Sequence, residues 1–236
     1  MGVITRTLFT VMMLMLLAAL CAAQQPDLGP NRDTAAVPTV TFTLSRPGGE
    51  PDFLSVAVLS TGPATYLSTG RVVDNGTLGE RYELRFIASA PIRERIFDLA
   101  RRVNYFQGDF EYRKNRIANT GAKTLAFAQG QTRHQTTYNW SENAAIQQLT
   151  EIFQNISTTV ESGRRLEYLH RHDKLGLNEE LKRMEEWSKS GRLAELQAIE
   201  PVLRRIATDT AVMRLARNRA SQLLARLETA AHQPSR

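Results

Sequence analysis

Arg81-Tyr82-Glu83-Leu84-Arg85-Phe86-Ile87 followed by Ala88-Ser89-Ala90-Pro91-Ile92-Arg93-Glu94-Arg95-Ile96-Phe97-Asp98-Leu99-Ala100 is the stretch where the hydrophobic period changes. Up to Phe86 the period is two, with Tyr82, Leu84 and Phe86 on one side and Arg81, Glu83 and Arg85 on the other, as a half-buried strand requires. From Ile92 the period is helical: Ile92, Ile96, Phe97, Ala100 and Val103 form one stripe while Arg93, Glu94, Arg95, Arg101 and Arg102 stay wet. Pro91 suits the first turn of that helix, with Ser89 or Ala90 as cap, and Tyr105-Phe106-Gln107-Gly108 ends it. A strand that hands over to a one-sided helix predicts a helix lying across a sheet.

Toward the N-terminus the period-two pattern continues. Val40, Phe42 and Leu44 alternate with Thr39, Thr41 and Thr43, and Arg46-Pro47-Gly48-Gly49-Glu50-Pro51 reads as a turn. Phe53 to Leu59 and Ala64 to Thr69 read as further strands around Gly62-Pro63, with another turn at Asp74-Asn75-Gly76 and Gly79. Toward the C-terminus, Lys123 to Ala128 and Thr132 to Asn139 form a hairpin turned at Gln129-Gly130-Gln131. A helix capped by Ser141 follows, with Glu142 just inside it and Ala145, Leu149, Ile152, Phe153, Ile156 and Val160 on its core face. Residues 39–162 therefore predict an α+β fold, a small antiparallel sheet covered by helices.

From Gly163 onward no strand pattern occurs, so residues 163–236 are expected to form an all-helical C-terminal region. Its helices are bounded by Asn178 with Glu179 and Glu180, by Ser190-Gly191, by a break near Glu200 before Pro201, and by Thr208-Asp209 as a cap. The last helix is amphipathic, with Val212, Met213, Ala216, Ala220, Leu223, Leu224 and Leu227 sharing a face. The periodicity leaves open whether the helix after Ser141 runs through Gly163, and so whether the two halves are separate domains.

Residues 1–23, with Arg6, an apolar run from Leu8 to Leu20 and the small Ala22-Ala23 pair, have the layout of a secretory signal peptide cut after Ala23. The same run also admits an N-terminal membrane anchor, at the short end of what spans a bilayer. Residues 24–38, holding Pro26, Gly29, Pro30 and Pro38, read as a flexible leader. The expected location is periplasmic or secreted. Leu20 before Cys21 does not match a lipobox, so the single cysteine leaves with the signal, and the mature chain has no thiol for catalysis, disulfides or metal.

The 236-residue chain carries 30 Lys plus Arg against 24 Asp plus Glu, a net +6. Residues 24–163 hold 14 of each sign, whereas 164–236 hold 15 basic and 10 acidic, so the basicity belongs to the helical tail. Arg204, Arg205, Arg214, Arg217, Arg219 and Arg226 are suited to weak contact with a membrane surface, or to a plain solvated face. Nucleic acid is not expected as a partner. After Tyr168 the tail has only Trp187 as an aromatic platform for bases.

Glu167-Tyr168-Leu169-His170 has the Glu-x-x-His spacing of half a dimetal site, but no second pair completes it. His170 and His172, two apart, diverge on a helix and share an ion only in a loop. Thr120-Gly121-Ala122-Lys123-Thr124 shares a few letters with a phosphate-binding loop. It lacks that loop's glycines and precedes a strand, so Gly121 reads as a turn into the hairpin. His134 shares a strand face with Thr136 and Tyr138, and a two-residue hairpin turn is expected to set it opposite Leu125. No catalytic, cofactor-binding or metal-binding residue is assigned, and no cofactor is expected.

The run Ala64-Thr65-Tyr66 through Arg71-Val72-Val73, the helix from Arg93 to Val103 closing on Tyr105-Phe106, and Thr120 to Tyr138 together resemble exported bacterial domains of unknown function. In those domains a strand pair leads to a helix ending in an aromatic-Phe pair and a Thr-rich hairpin. The resemblance covers about residues 53–160, and this chain lacks their Gly-Pro-Cys-type start and adds the helical tail. It implies a bacterial envelope protein without established catalysis, and it transfers no functional residue.

The expected function is an exported, non-catalytic module that binds or scaffolds an envelope protein through its amphipathic, basic helical tail. The alternative is an envelope hydrolase with a site assembled near His134 and Tyr138. The sequence specifies no oligomeric state.

Overall fold

A computed structural model describes residues 36–70 and 81–232, with side chains of the last helix as far as Leu227. The signal segment 1–23, the leader up to residue 35, Arg71-Val72-Val73 and the turn at Asp74-Asn75-Gly76 and Gly79 lie outside the described residues.

The fold is α+β. Six strands, β1 (Thr39–Ser45), β2 (Phe53–Leu59), β3 (Pro63–Thr69), β4 (Arg81–Ile87), β5 (Ala122–Gln129) and β6 (Thr132–Tyr138), form one antiparallel sheet in the order β4-β3-β2-β1-β5-β6. Their register aligns the apolar positions of the sequence into one row, in which Thr136, Leu125, Phe42, Val56, Tyr66 and Leu84 lie successively opposite one another. This row is the core face. The adjacent row, with Gln135, Ala126, Thr41, Ala57, Thr65 and Arg85, is small or polar, as the solvated side of an antiparallel sheet should be.

The β5–β6 hairpin turns on two residues only, Gly130-Gln131, with Gly130 at φ +59°. Gln129 is thus the last residue of its strand, and His134 faces Phe127 rather than the expected Leu125.

After the edge strand β4, helix α1 (Ala90–Arg102) carries the chain back across the sheet toward β5 in its interior. Ile96, Leu99, Ala100 and Val103 are buried, so Leu99 joins the stripe read from the sequence. Asn104, Tyr105 and Phe106 then adopt φ of 49°, 52° and 70°, a left-handed run that non-glycine residues seldom take. Burial offsets the cost: Phe106 is fully buried and the Tyr105 ring lies 4.4 Å from that of Phe127.

Helix α2 (Ala144–His172) is the longest element among the described residues, 29 residues or about 43 Å at the standard rise. Its cap is Asn143 rather than Ser141. The Asn143 Oδ1 accepts from the amides of Ala145 and Ile146 at 2.9 and 3.2 Å, and Ser141 is instead buried, its Oγ accepting from the Asn143 amide. Ile146, Leu149, Phe153, Ile156 and Val160 cover the sheet, with the Phe153 and Phe42 rings stacked at 5.4 Å. Beyond them Leu166 and Leu169 belong to a second core, shared with α3 (Leu177–Lys189), α4 (Glu200–Thr208) and α5 (Arg214–His232).

Pro201 sits in the first turn of α4, after a 3-10 turn at Leu196–Ile199, so the break near Glu200 is present. Asp209 follows the end of α4, and α5 begins only at Arg214. The Asp209 Oδ1 accepts from the Ala211 amide at 2.9 Å, which makes it a turn former rather than the cap of α5. Val212, Ala216, Ala220 and Leu223 are buried in the second core, and Met213 is exposed. The apolar face of the tail therefore covers its own helices.

Gly163 lies within α2, which crosses from one core to the other without interruption. A Cβ at this position would stand 3.0 Å from the Ile199 Cβ and closer still to its Cγ2. In an open helix Gly163→Ala would stabilise by about 1 kcal/mol. Here the overpacking against Ile199 reverses the sign, with a net loss of about 1–2 kcal/mol. Urea unfolding of Gly163→Ala alone and in an Ile199→Ala background measures this directly, with a smaller loss from Gly163→Ala expected in the second.

Candidate functional site

Helix periodicity builds the site. Ser157, Glu161 and Arg165 recur at intervals of four on one face of α2, and Glu180, Arg183 and Trp187 recur at three and four on one face of α3. The two faces meet the end of the β1–β2 hairpin, where Leu44, Arg46 and Leu54 stand. Between them is a cleft of about 560 Å³, closed at one side by Arg192. The volume is within the usual range for a small-ligand site.

Its centre is a shared ion pair. The Glu180 side chain is only 3% exposed, yet its Oε2 accepts from an Arg183 Nη2 in close contact and forms an ion pair with the Arg165 Nε at 3.0 Å, without hydrogen-bond alignment to it. One carboxylate oxygen thus serves two guanidiniums, each 42% exposed toward the cleft. The Nε atoms of both Arg165 and Arg183 are buried and have no hydrogen-bond acceptor among the described residues. Burial, and next the like charge of Arg165, lower the basicity of Arg183.

Trp187 extends the array. The guanidinium carbons of Arg183 and Arg192 each lie 5.4 Å from its ring centroid, within cation–π range. On the sheet side, Glu161 accepts from the Tyr66 and Ser68 hydroxyls, both at 2.6 Å, and Arg164 approaches it at 3.9 Å. Burial and then the adjacent Glu161 charge push the Tyr66 phenol well above its ordinary value, so it stays a donor. Two wall hydroxyls are engaged: Ser157 donates to the Phe153 carbonyl at 2.8 Å and Thr158 to that of Gln154 at 2.9 Å. The guanidiniums share the lining with the Gln154 amide, the Ser162 hydroxyl and the Trp187 indole N–H.

The residues singled out by sequence occupy other places. His134 contacts the Gln107 amide nitrogen, 2.8 Å from its Nε2, on the exposed end of β6. Tyr138 is buried, its hydroxyl 2.7 Å from the Thr150 Oγ1, and burial pushes its phenol up to about 12. Four positions apart on one strand, the two side chains stand about 13 Å from each other. Glu167 and His170 also part company: Glu167 pairs with Arg205 at 2.8 Å, and His170 Nε2 meets Asp209 Oδ2 at 2.9 Å. His172 packs its ring against Tyr168. Among the described residues no three of His, Cys, Asp and Glu converge on a possible metal position.

Lys123 is buried, its Nζ donating to the Thr120 Oγ1 and to the carbonyls of Gly121 and Asn139. It anchors the hairpin entry, and Gly121 turns there at φ +101°. Of the tail arginines, Arg204 pairs with Glu200, Arg205 with Glu167 and Arg219 with Glu185. Arg183 and Arg192, which escaped notice as isolated letters, carried a readable signal in their spacing around Trp187. The partner face on α2 and the hairpin are remote in sequence.

No protein-family model and no curated protein matches this chain.

Two variants probe the electrostatics. Glu180→Gln leaves Arg165 and Arg183 facing each other without their shared charge and is expected to cost about 1–3 kcal/mol in urea unfolding, less than for a fully buried pair because both guanidiniums reach water. Asp209, held by the Lys174 ammonium, the Ala211 amide and His170, has its carboxyl lowered to about 2. Its folded value lies below the unfolded one near 3.9, so the stability it contributes is complete above about pH 5 and is lost as pH falls toward 2. Asp209→Asn should flatten the acid-unfolding curve over that interval.

Proposed function

We propose that this protein is an exported, non-catalytic binding module of the bacterial envelope, and that it recognises its partner in the cleft between the sheet and the helical half. The observation that carries the reading is the character of the groups converging there. Arg165, Arg183 and Arg192 bring guanidinium groups, and Glu161 and Glu180 are tied into hydrogen bonds and ion pairs. Fixed charge beside an aromatic ring is the chemistry of recognition.

Export is supported by the layout of residues 1–23, with Arg6, the apolar run and Ala22-Ala23 ahead of the polar leader. Among the described residues no helix is long and apolar enough to cross a membrane. The partner, an envelope protein, touches the C-terminal helices through Arg183, Trp187 and Arg192, while the apolar face of α5 serves the core. Weak attraction of the exposed tail arginines to an anionic membrane surface accompanies this contact.

A photo-crosslinking residue placed at Gln154, on the cleft wall, and separately at Arg133, on the edge strand β6, tests the reading in the living host. The expected result is one discrete adduct from position 154, absent at 133, in an envelope fraction whose chain begins near Gln24. Equal labelling from both positions, no adduct at 154, or a full-length cytoplasmic product contradicts it.

A further inference from the structure

We infer that the cleft is a receptor for a terminal oxyanion, a carboxylate or phosphate, carried on a small apolar stem; this rests on the reading of the cleft as the binding surface. The charge balance points to an anion. The lining holds four arginines against three glutamates, and the Arg164 guanidinium stands behind Glu161. Two of the four, Arg165 and Arg183, share a single carboxylate oxygen. Arg46 and Arg192 have no ion-pair partner among the described residues, and Glu50 at the rim is the one lining carboxylate likewise unpaired. A guanidinium presents five N–H donors, so these four groups offer far more donors than Glu180 can accept.

Geometry adds direction. The buried Nε atoms of Arg165 and Arg183 have no hydrogen-bond acceptor among the described residues, and the guanidiniums of Arg183 and Arg192 each lie 5.4 Å from the Trp187 ring centroid, which gathers two planar forks around one ring. Planar forks match the paired oxygens of a carboxylate or the face of a phosphate. Opposite them Leu44, Pro51 and Leu54 supply an apolar wall for the stem. The hydroxyls of Ser157 and Thr158 donate back into α2, so the charged donors of the lining are the arginines. An uncharged ligand would leave the crowding of Arg165 and Arg183 unrelieved.

Tryptophan fluorescence of the mature chain carrying Trp140→Phe isolates the Trp187 signal, at constant ionic strength. Three probes separate the possibilities: N-acetyl-leucine, its uncharged amide, and inorganic phosphate. The expected result is a saturable change with N-acetyl-leucine, with phosphate, or with both, and none with the amide. The first without the second assigns a carboxylate, and the reverse assigns a phosphate. Arg192→Gln, which breaks no ion pair, should weaken binding about tenfold, the effect of losing one charge-assisted contact. Equal response to the amide, a change that never saturates, or unaltered affinity in Arg192→Gln overturns the inference. A discrete adduct from position 154 alongside a silent titration would retain the cleft as a docking surface and reject the oxyanion.

Discussion

A single helix serves two cores, and the rest of the structure depends on that economy. α2 gives Phe153, Ile156 and Val160 to the sheet and Leu166 and Leu169 to the helices that follow, with Gly163 between them. At Gly163 the missing side chain admits Ile199, so the chain leading into α4 packs against the helix backbone itself. Glu195 reinforces the junction. Buried and left-handed at φ +59°, it accepts from the Ser89 amide at 2.8 Å and the Ser89 hydroxyl at 2.6 Å, fastening the segment before α4 to the start of α1. A long rigid helix with a contact on each side of its midpoint holds the two halves at one spacing.

The cleft is a product of that spacing. Its two charged faces belong to α2 and α3, and its apolar wall belongs to the β1–β2 hairpin, so none of the three makes the site alone. Glu180 is the keystone of the charge array. Gathering two guanidiniums around one buried oxygen costs desolvation, and an oxyanion entering the cleft would offset part of it. The same arrangement explains why Arg183 rests against Trp187, whose ring face takes over where carboxylates run out.

Much of the fold was legible in the sequence because its elements are locally patterned. The alternation of Val40, Phe42 and Leu44, and of Tyr82, Leu84 and Phe86, fixed strand faces that the register then joined into one row. The helical stretches after Gly163 also announced themselves, through Glu179 and Glu180, Ser190-Gly191 and Pro201. What local pattern misplaced were caps and one register: Asn143 took the place of Ser141 as cap, Asp209 formed a turn short of α5, and the two-residue turn pairs Gln129 with Thr132, which sets His134 opposite Phe127. The site was least legible. Arg46, Arg165, Arg183 and Arg192 are ordinary surface letters until tertiary packing gathers them, whereas His134 and Tyr138 stand out by residue type and are separated by the strand's own pitch.

Native-state hydrogen exchange on the full mature chain tests most directly whether the two cores are held as one frame. The account predicts that the amides of α2 from Ser157 to Leu166 open together with β1, β2 and α3, with one shared free energy close to that of global unfolding. Exchange in which α3, α4 and α5 open as a separate, less stable unit, while the sheet and residues 146–160 stay protected, would contradict it.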